Sequence, residues 1–120
     1  MTNKPELVLS GVRYAVYACR GFDLSVASNA VLFPTLEIPG SEFVVGSLHM
    51  VGDWSTATFE VIVSNDPKPE LSFAKTHPNN ATLWASGVTE GFSLEHLNVG
   101  VRVTAVEASK SVDVYLLLRP

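Results

Sequence analysis

Apolar and polar positions alternate with period two across residues 99–118. Val99, Val101, Val103 and Ala105 alternate with Gly100, Arg102 and Thr104. Beyond the turn formers at 108–111, Val112, Val114, Leu116 and Leu118 alternate with Asp113, Tyr115 and Leu117. Period-two alternation marks strands with one dry and one wet face. The pattern predicts an antiparallel hairpin in which Val101 lies opposite Leu118, Val103 opposite Leu116 and Ala105 opposite Val114, with Arg102 facing Leu117 and Thr104 facing Tyr115. A slip of one residue would set apolar against polar positions along the whole ladder, so the register is strongly specified.

The rest of the chain is punctuated in the same way. Residues 1–6 are polar, contain Pro5 and show no period, which predicts a flexible tail before a single domain at 7–120. A short strand is expected at Leu7-Val8-Leu9. Residues 14–20 and 22–26 read as two strand runs joined by a bulge or bend at Gly21, with Phe22, Leu24 and Val26 on one face. In 43–51, Phe43 and Val45 alternate with Val44, Leu48 and Met50, so both faces are apolar and a central or interface strand is expected. Residues 57–63 place Ala57, Phe59, Val61 and Val63 on one face, and the turn formers of 64–69 end that strand. Residues 71–97 read as short strands and connections, with one helical turn as the alternative at 93–97. Eight or nine short strands separated by turn signals predict an all-β fold, a two-sheet antiparallel sandwich with jelly-roll-like connections.

Residues 28–40 stand apart. Pro34 and Pro39 bracket Thr35-Leu36-Glu37-Ile38, which keeps the segment at an edge or in a long connection. Val31, Leu32, Phe33, Leu36 and Ile38 are too apolar for a solvated loop. The segment either packs across the end of its own domain or docks on a neighbouring subunit, and these five residues are the candidate interface.

Composition sharpens that choice. Only 17% of residues are charged and the mean hydropathy is positive, against roughly 25% charged in typical soluble domains. No apolar run approaches the ~20 residues of a membrane helix, so no membrane partner is expected. The surplus apolar surface predicts burial against copies of the chain or another protein, and therefore a homo-oligomer. A net charge of −4 with eight scattered basic residues lacks the footprint of a nucleic-acid binder. The triplet Leu7-Val8-Leu9 is too short for a signal-peptide core, so export by that route is not expected. The single cysteine, Cys19, reads as a small buried residue that forms no disulfide.

Candidate chemistry is sparse. His49, His77 and His96 are far apart in sequence, and no metal or cofactor site is expected. Neither a Gly-x-Ser-x-Gly elbow nor a phosphate loop is present. Ser93, Glu95 and His96 are triad residue types on adjacent strand positions that point to opposite faces. Glu60 and Glu107 occupy outward or rim positions, which leaves a paired-carboxylate mechanism unsupported. Asp53, Asn65 and Asp66 would bind calcium only if their loops met. The Asn80-Ala81-Thr82 sequon carries no weight without an export signal. Trp54, just before a clean strand, is expected to pack in the core or at a sheet edge, whereas Trp84 is the better candidate for stacking on a ligand or partner. The chain is not expected to be an enzyme.

Asp53-Trp54, the run Phe59-Glu60-Val61-Ile62-Val63-Ser64-Asn65-Asp66, the strand Val101-Arg102-Val103-Thr104-Ala105 and the terminal Val112-Asp113-Val114-Tyr115-Leu116-Leu117 together resemble small β-sandwich accessory proteins of tailed bacteriophages. The same pattern is similar, more weakly, to galactose-binding-like sandwiches. The first resemblance implies a non-enzymatic virion component, such as a capsid decoration, head-tail connector or tail protein. It would be assembled in the host cytoplasm and would act through oligomer or lattice contacts with itself and other virion proteins. The second implies a carbohydrate-binding module that uses Trp84 or Trp54 with Asn79, Asn80 and Asp66.

Overall fold

The computed structural model describes residues 3–10, 14–35, 43–66, 71, 74–78, 80, 84–85, 87–89 and 91–120. Their strands are β1 (Glu6–Ser10), β2 (Ala15–Asp23), β3 (Ala30–Pro34), β4 (Val45–Val51), β5 (Thr58–Ser64), β6 (Lys75–Thr76), β7 (Trp84–Ala85), β8 (Val88–Thr89), β9 (Phe92–Ser93), β10 (Asn98–Ala105) and β11 (Ser111–Arg119). One antiparallel sheet has the order β1-β2-β11-β4-β8-β7, with β9 also on β4, and the other has the order β3-β10-β5-β6. The two pack face to face as the sandwich that the alternation predicts. Phe22, Leu48, Val114, Leu116 and Leu118 from the first sheet meet Val31, Phe33, Val61, Val101 and Val103 from the second, and all are 2% exposed or less.

The C-terminal hairpin is not formed. β10 lies between β3 and β5, and β11 lies between β2 and β4 in the opposite sheet. Val101 is therefore paired with Val31 and Val61, and Leu116 with Tyr17 and Leu48, instead of β10 and β11 pairing with each other. A hairpin would turn both dry faces to the same side of one sheet. In the arch they face each other across the core, and both edges of each strand are paired. The connection's backbone bonds go elsewhere as well: the Leu24 N–H donates to the Lys110 carbonyl (2.9 Å), and the Glu107 N–H donates to the Leu24 carbonyl (2.8 Å).

The two runs at 14–26 form one strand, β2, with the expected bulge. Val112 pairs with Phe22 and Val114 with Cys19, so β2 carries one residue more than β11 across this step. Gly21 takes φ of 66° there, and its N–H donates to Asp113 Oδ1 (2.9 Å). Phe22 and Leu24 point inward as expected, but Val26 lies past the strand end and is exposed. A Cβ at Gly21 would meet open space. Gly21→Ala is therefore expected to lose only the backbone preference, about 1–2 kcal/mol, read from the midpoint of urea unfolding with an unchanged slope.

β3 is the outer strand of its sheet and ends at Pro34, in keeping with the edge position the prolines require. The candidate interface is corrected here. Val31, Leu32 and Phe33 are 1%, 6% and 0% exposed within the single chain, so none is available to a partner. Val31 and Phe33 enter the main core, and Leu32 packs with Ala30, Ile62 and Ala74 in a second cluster on the outer side of β3 and β5. Leu36 and Ile38 lie outside the described residues. The tail expected at 1–6 is tied down from Asn3, whose Nδ2 donates to Asn29 Oδ1 and the Ala30 carbonyl (2.7 Å each), and Glu6 already belongs to β1.

β4 is a central strand between β11 and β8. Leu48 and Met50 point inward as the alternation predicts, but Val44 precedes the strand and is exposed, while Phe43 turns into the core. Cys19 is buried; burial and then the Asp113 charge push its thiol above the ordinary range, away from thiolate chemistry.

Candidate functional site

The sandwich brings together two histidines that sequence distance keeps apart. His77 follows β6 and His96 lies between β9 and β10, on neighbouring parts of the rim. Their ring centroids are 6.3 Å apart in an edge-on arrangement, and His77 also lies 5.6 Å from the Phe92 ring. Val63, Val99, Phe92, Leu94, Ser93 and Glu95 close around them and leave no cavity large enough for a water molecule. Burial and then His96 push His77 below the ordinary histidine range, against an opposite pull from Glu95. His96 also borders an open cleft formed with Ser64, Asn65, Asp66 and Lys75. No spacing motif signals this pair, because it is created by β6 and the 94–97 loop meeting at the end of β5.

The polar groups around the cleft mostly hold loops. The Leu97 N–H donates to Asn65 Oδ1 (3.0 Å), and Asn98 Nδ2 donates to the Asp66 carbonyl (3.0 Å). Thr35 Oγ1 donates to the His96 carbonyl (2.8 Å) from the other side. Ser93, Glu95 and His96 are not hydrogen-bonded to one another, so no nucleophile and base are aligned. Among the described residues no group of three or more His, Cys, Asp or Glu side chains is placed to hold a metal ion. Asp53 precedes β5 and Asp66 follows it, so the seven residues of that strand separate the two acidic turns by roughly 20 Å. Their loops do not meet around a cation.

The carboxylates expected to be solvated are both engaged. Glu60 Oε1 pairs with Arg102 Nε at 2.5 Å, and its other oxygen accepts from Thr76 Oγ1 (2.9 Å). Glu107 Oε1 accepts from the backbone N–H groups of Ser55 (2.8 Å), Thr56 (2.5 Å) and Ala57 (3.0 Å), and from Thr56 Oγ1 (3.0 Å). These bonds, led by that from the Thr56 N–H, lower its pKa to about 2. A carboxylate depressed in the folded state stabilises above its unfolded pKa of 4.5 and loses that contribution as pH falls toward about 2. Glu107→Gln is accordingly expected to lower the melting temperature at pH 7, with the difference from wild type shrinking between pH 5 and pH 2. A difference constant across that range would place the effect elsewhere.

Trp54 is half-buried against the main core. Its ring meets Phe59 edge to face with centroids 5.6 Å apart, and a Cβ at Gly87 would come within 2.5 Å of the indole. Trp84 pairs through its backbone with Thr89, and its side chain lies outside the described residues. Asn79 is likewise outside them, and Asn80 Oδ1 accepts from the Val61 N–H (2.7 Å), continuing the β5 edge beyond the short β6. Asp66 borders the open cleft with His96, and Trp54 packs on Phe59. Comparison with protein-family models, with curated proteins and with solved structures finds no match.

Proposed function

We propose that this β-sandwich is a non-enzymatic structural component of a phage particle, a capsid decoration, head-tail connector or tail protein, and that it works through contacts with copies of itself and with other virion proteins. The observation that carries the reading is where the apolar surplus lies once the core is full. Leu7 and Val8 on the outer strand β1, with Val44, Val51 and Val88 around β4, remain exposed. An antiparallel sheet edge with apolar side chains and few charges is a docking template that soluble monomers usually protect. The resemblance of the second half of the chain to accessory phage proteins supplies the context. Glu60, Glu107, Asn65 and Asn98 supply no catalytic group in this reading, because each is committed to holding a strand or loop. The test is protein mass spectrometry of purified particles from the strain that carries the gene. The chain is expected in fixed stoichiometry to the major capsid or tail protein; its presence in the lysate but absence from particles would overturn the reading.

A further inference from the structure

The outer face of the seven-stranded sheet differs from that of its partner. On the four-stranded sheet, outward positions carry the Glu60–Arg102 pair and the Thr58–Thr104 hydroxyl pair (2.6 Å), and the apolar part is covered within the chain by Ala74 packing on Leu32 and Ile62. A solvated antiparallel face normally reads as polar in this way. On the seven-stranded sheet the register places Val16, Leu117 and Ser47 in one outward rung and Ala18, Tyr115 and His49 in the next. Val16, Tyr115 and Leu117 are half-buried, and beside them Arg20, ion-paired with Glu6 of β1 (4.0 Å), donates to the Tyr115 hydroxyl (3.5 Å), so the apolar part of this face is the Val16–Leu117 rung. The outward residues of β11, its central strand, are Asp113, Tyr115, Leu117 and Arg119 in order: one negative end, two large apolar or aromatic residues, one positive end.

That order is self-complementary, and we propose that this face packs against the same face of a second copy about a two-fold axis crossing β11 near Leu116. With the two β11 strands antiparallel across the interface, Tyr115 lies over Leu117 of the second copy, and Asp113 over its Arg119, each contact occurring twice. Two-fold symmetry requires residue i to meet j and j to meet i, which a strand of this pattern satisfies without further sequence. Arg119 has no ion-pair partner among the described residues, and Asp113 uses Oδ1 on the Gly21 N–H, leaving Oδ2 to receive it. Face-to-face sheets pack about 10 Å apart through interdigitated apolar side chains. A standard interface takes roughly 800 Å² from each partner, about an eighth of the 6794 Å² surface of one protomer, which one face of a two-layer sandwich provides. The inference rests on the assembly reading above and adds the surface and the occupant.

Light scattering coupled to size exclusion tests it with the full chain. Wild type at micromolar concentration is expected at twice the 12.9 kDa protomer mass. Asp113→Arg sets Arg against Arg119 of the second copy, and Arg119→Asp sets Asp against its Asp113. Each is expected to raise the dimer dissociation constant by about 10-fold or more, while circular dichroism stays that of a folded sheet protein. Mixing the two variants restores both charge pairs and is expected to return a dimer; this recovery is not obtained from a variant that is merely unfolded. Leu117→Glu is expected to be monomeric and not to recover on mixing. A monomeric wild type overturns the inference but leaves the particle test of function standing. An oligomer that all three variants leave intact also overturns it, moving the contact to another surface such as the β1 edge.

Discussion

Val103→Asp and Leu116→Asp are expected to leave the chain unfolded at neutral pH, and Thr104→Asp is expected to fold. Val103 is 2% exposed and Leu116 is fully buried, on opposite sheets but within one core. Each substitution removes about 2–3 kcal/mol of apolar burial and places an unpaired carboxylate where ionisation costs several kcal/mol more. The sum rivals the whole stability of a small domain, about 5–15 kcal/mol. Thr104 is exposed on the outer face, where Asp forfeits only the hydroxyl contact to Thr58. Far-ultraviolet dichroism and urea unfolding separate the cases. Equal losses in all three would contradict the placement of Thr104 outside and the other two inside.

Gly100→Ala is expected to be nearly as damaging, although Ala adds a single methyl group. Gly100 sits in the middle of β10, paired with Leu32 on one side and Ile62 on the other. A Cβ there would run into the Val31 carbonyl, which is backbone and has no rotamer to change. β3 would have to move off its sheet, taking Val31 and Phe33 out of the core. The cost is expected at or above the ~3 kcal/mol upper end of ordinary overpacking, seen as a large fall in the urea midpoint. A loss no greater than that of Gly21→Ala would show that β3 yields without leaving the sheet.

What could be read from the residues, and what could not, follows from the range of the signal. Alternation in 57–63 and 99–118 reports which side of a strand is dry, and Ala57, Val61, Val63, Val101 and Leu116 are all buried as it predicts. It does not report which strand lies beside which. Hairpin and arch both bury Val103 and Leu116, and what distinguishes them is the pairing of β10 with β3 and β5 and of β11 with β2 and β4, together with the bonds from the 106–110 connection to Leu24. The segment 28–40 was legible as apolar and edge-bound, but its own four-stranded sheet, absent from any local pattern, absorbs Val31, Leu32 and Phe33. The His77 and His96 pair was invisible for the same reason, since two single residues on separate elements carry no period. Glu107 looked like an ordinary rim carboxylate because its three backbone donors belong to a turn some fifty residues earlier.

The arch has a consequence for the order of events as the chain is made. β10 and β11 are the last strands in the sequence, and they are interior strands of the two different sheets. Until both exist, β3 and β5 have nothing between them, and β2 and β4 likewise; the pieces that remain are β1 with β2, β5 with β6, and β4 with the two-residue strands β7, β8 and β9, and a single hairpin or such short pairings do not hold together unaided. The emerging chain therefore carries Phe22, Phe33, Leu48 and Val61 without a core to enter, an interval in which aggregation competes with folding. When β10 and β11 arrive, joined by a connection too short to let them drift apart, the two sheets close almost together. The outer face of β11 is complete only after that final step, so synthesis itself sets the earliest moment at which the proposed pairing of two copies can begin.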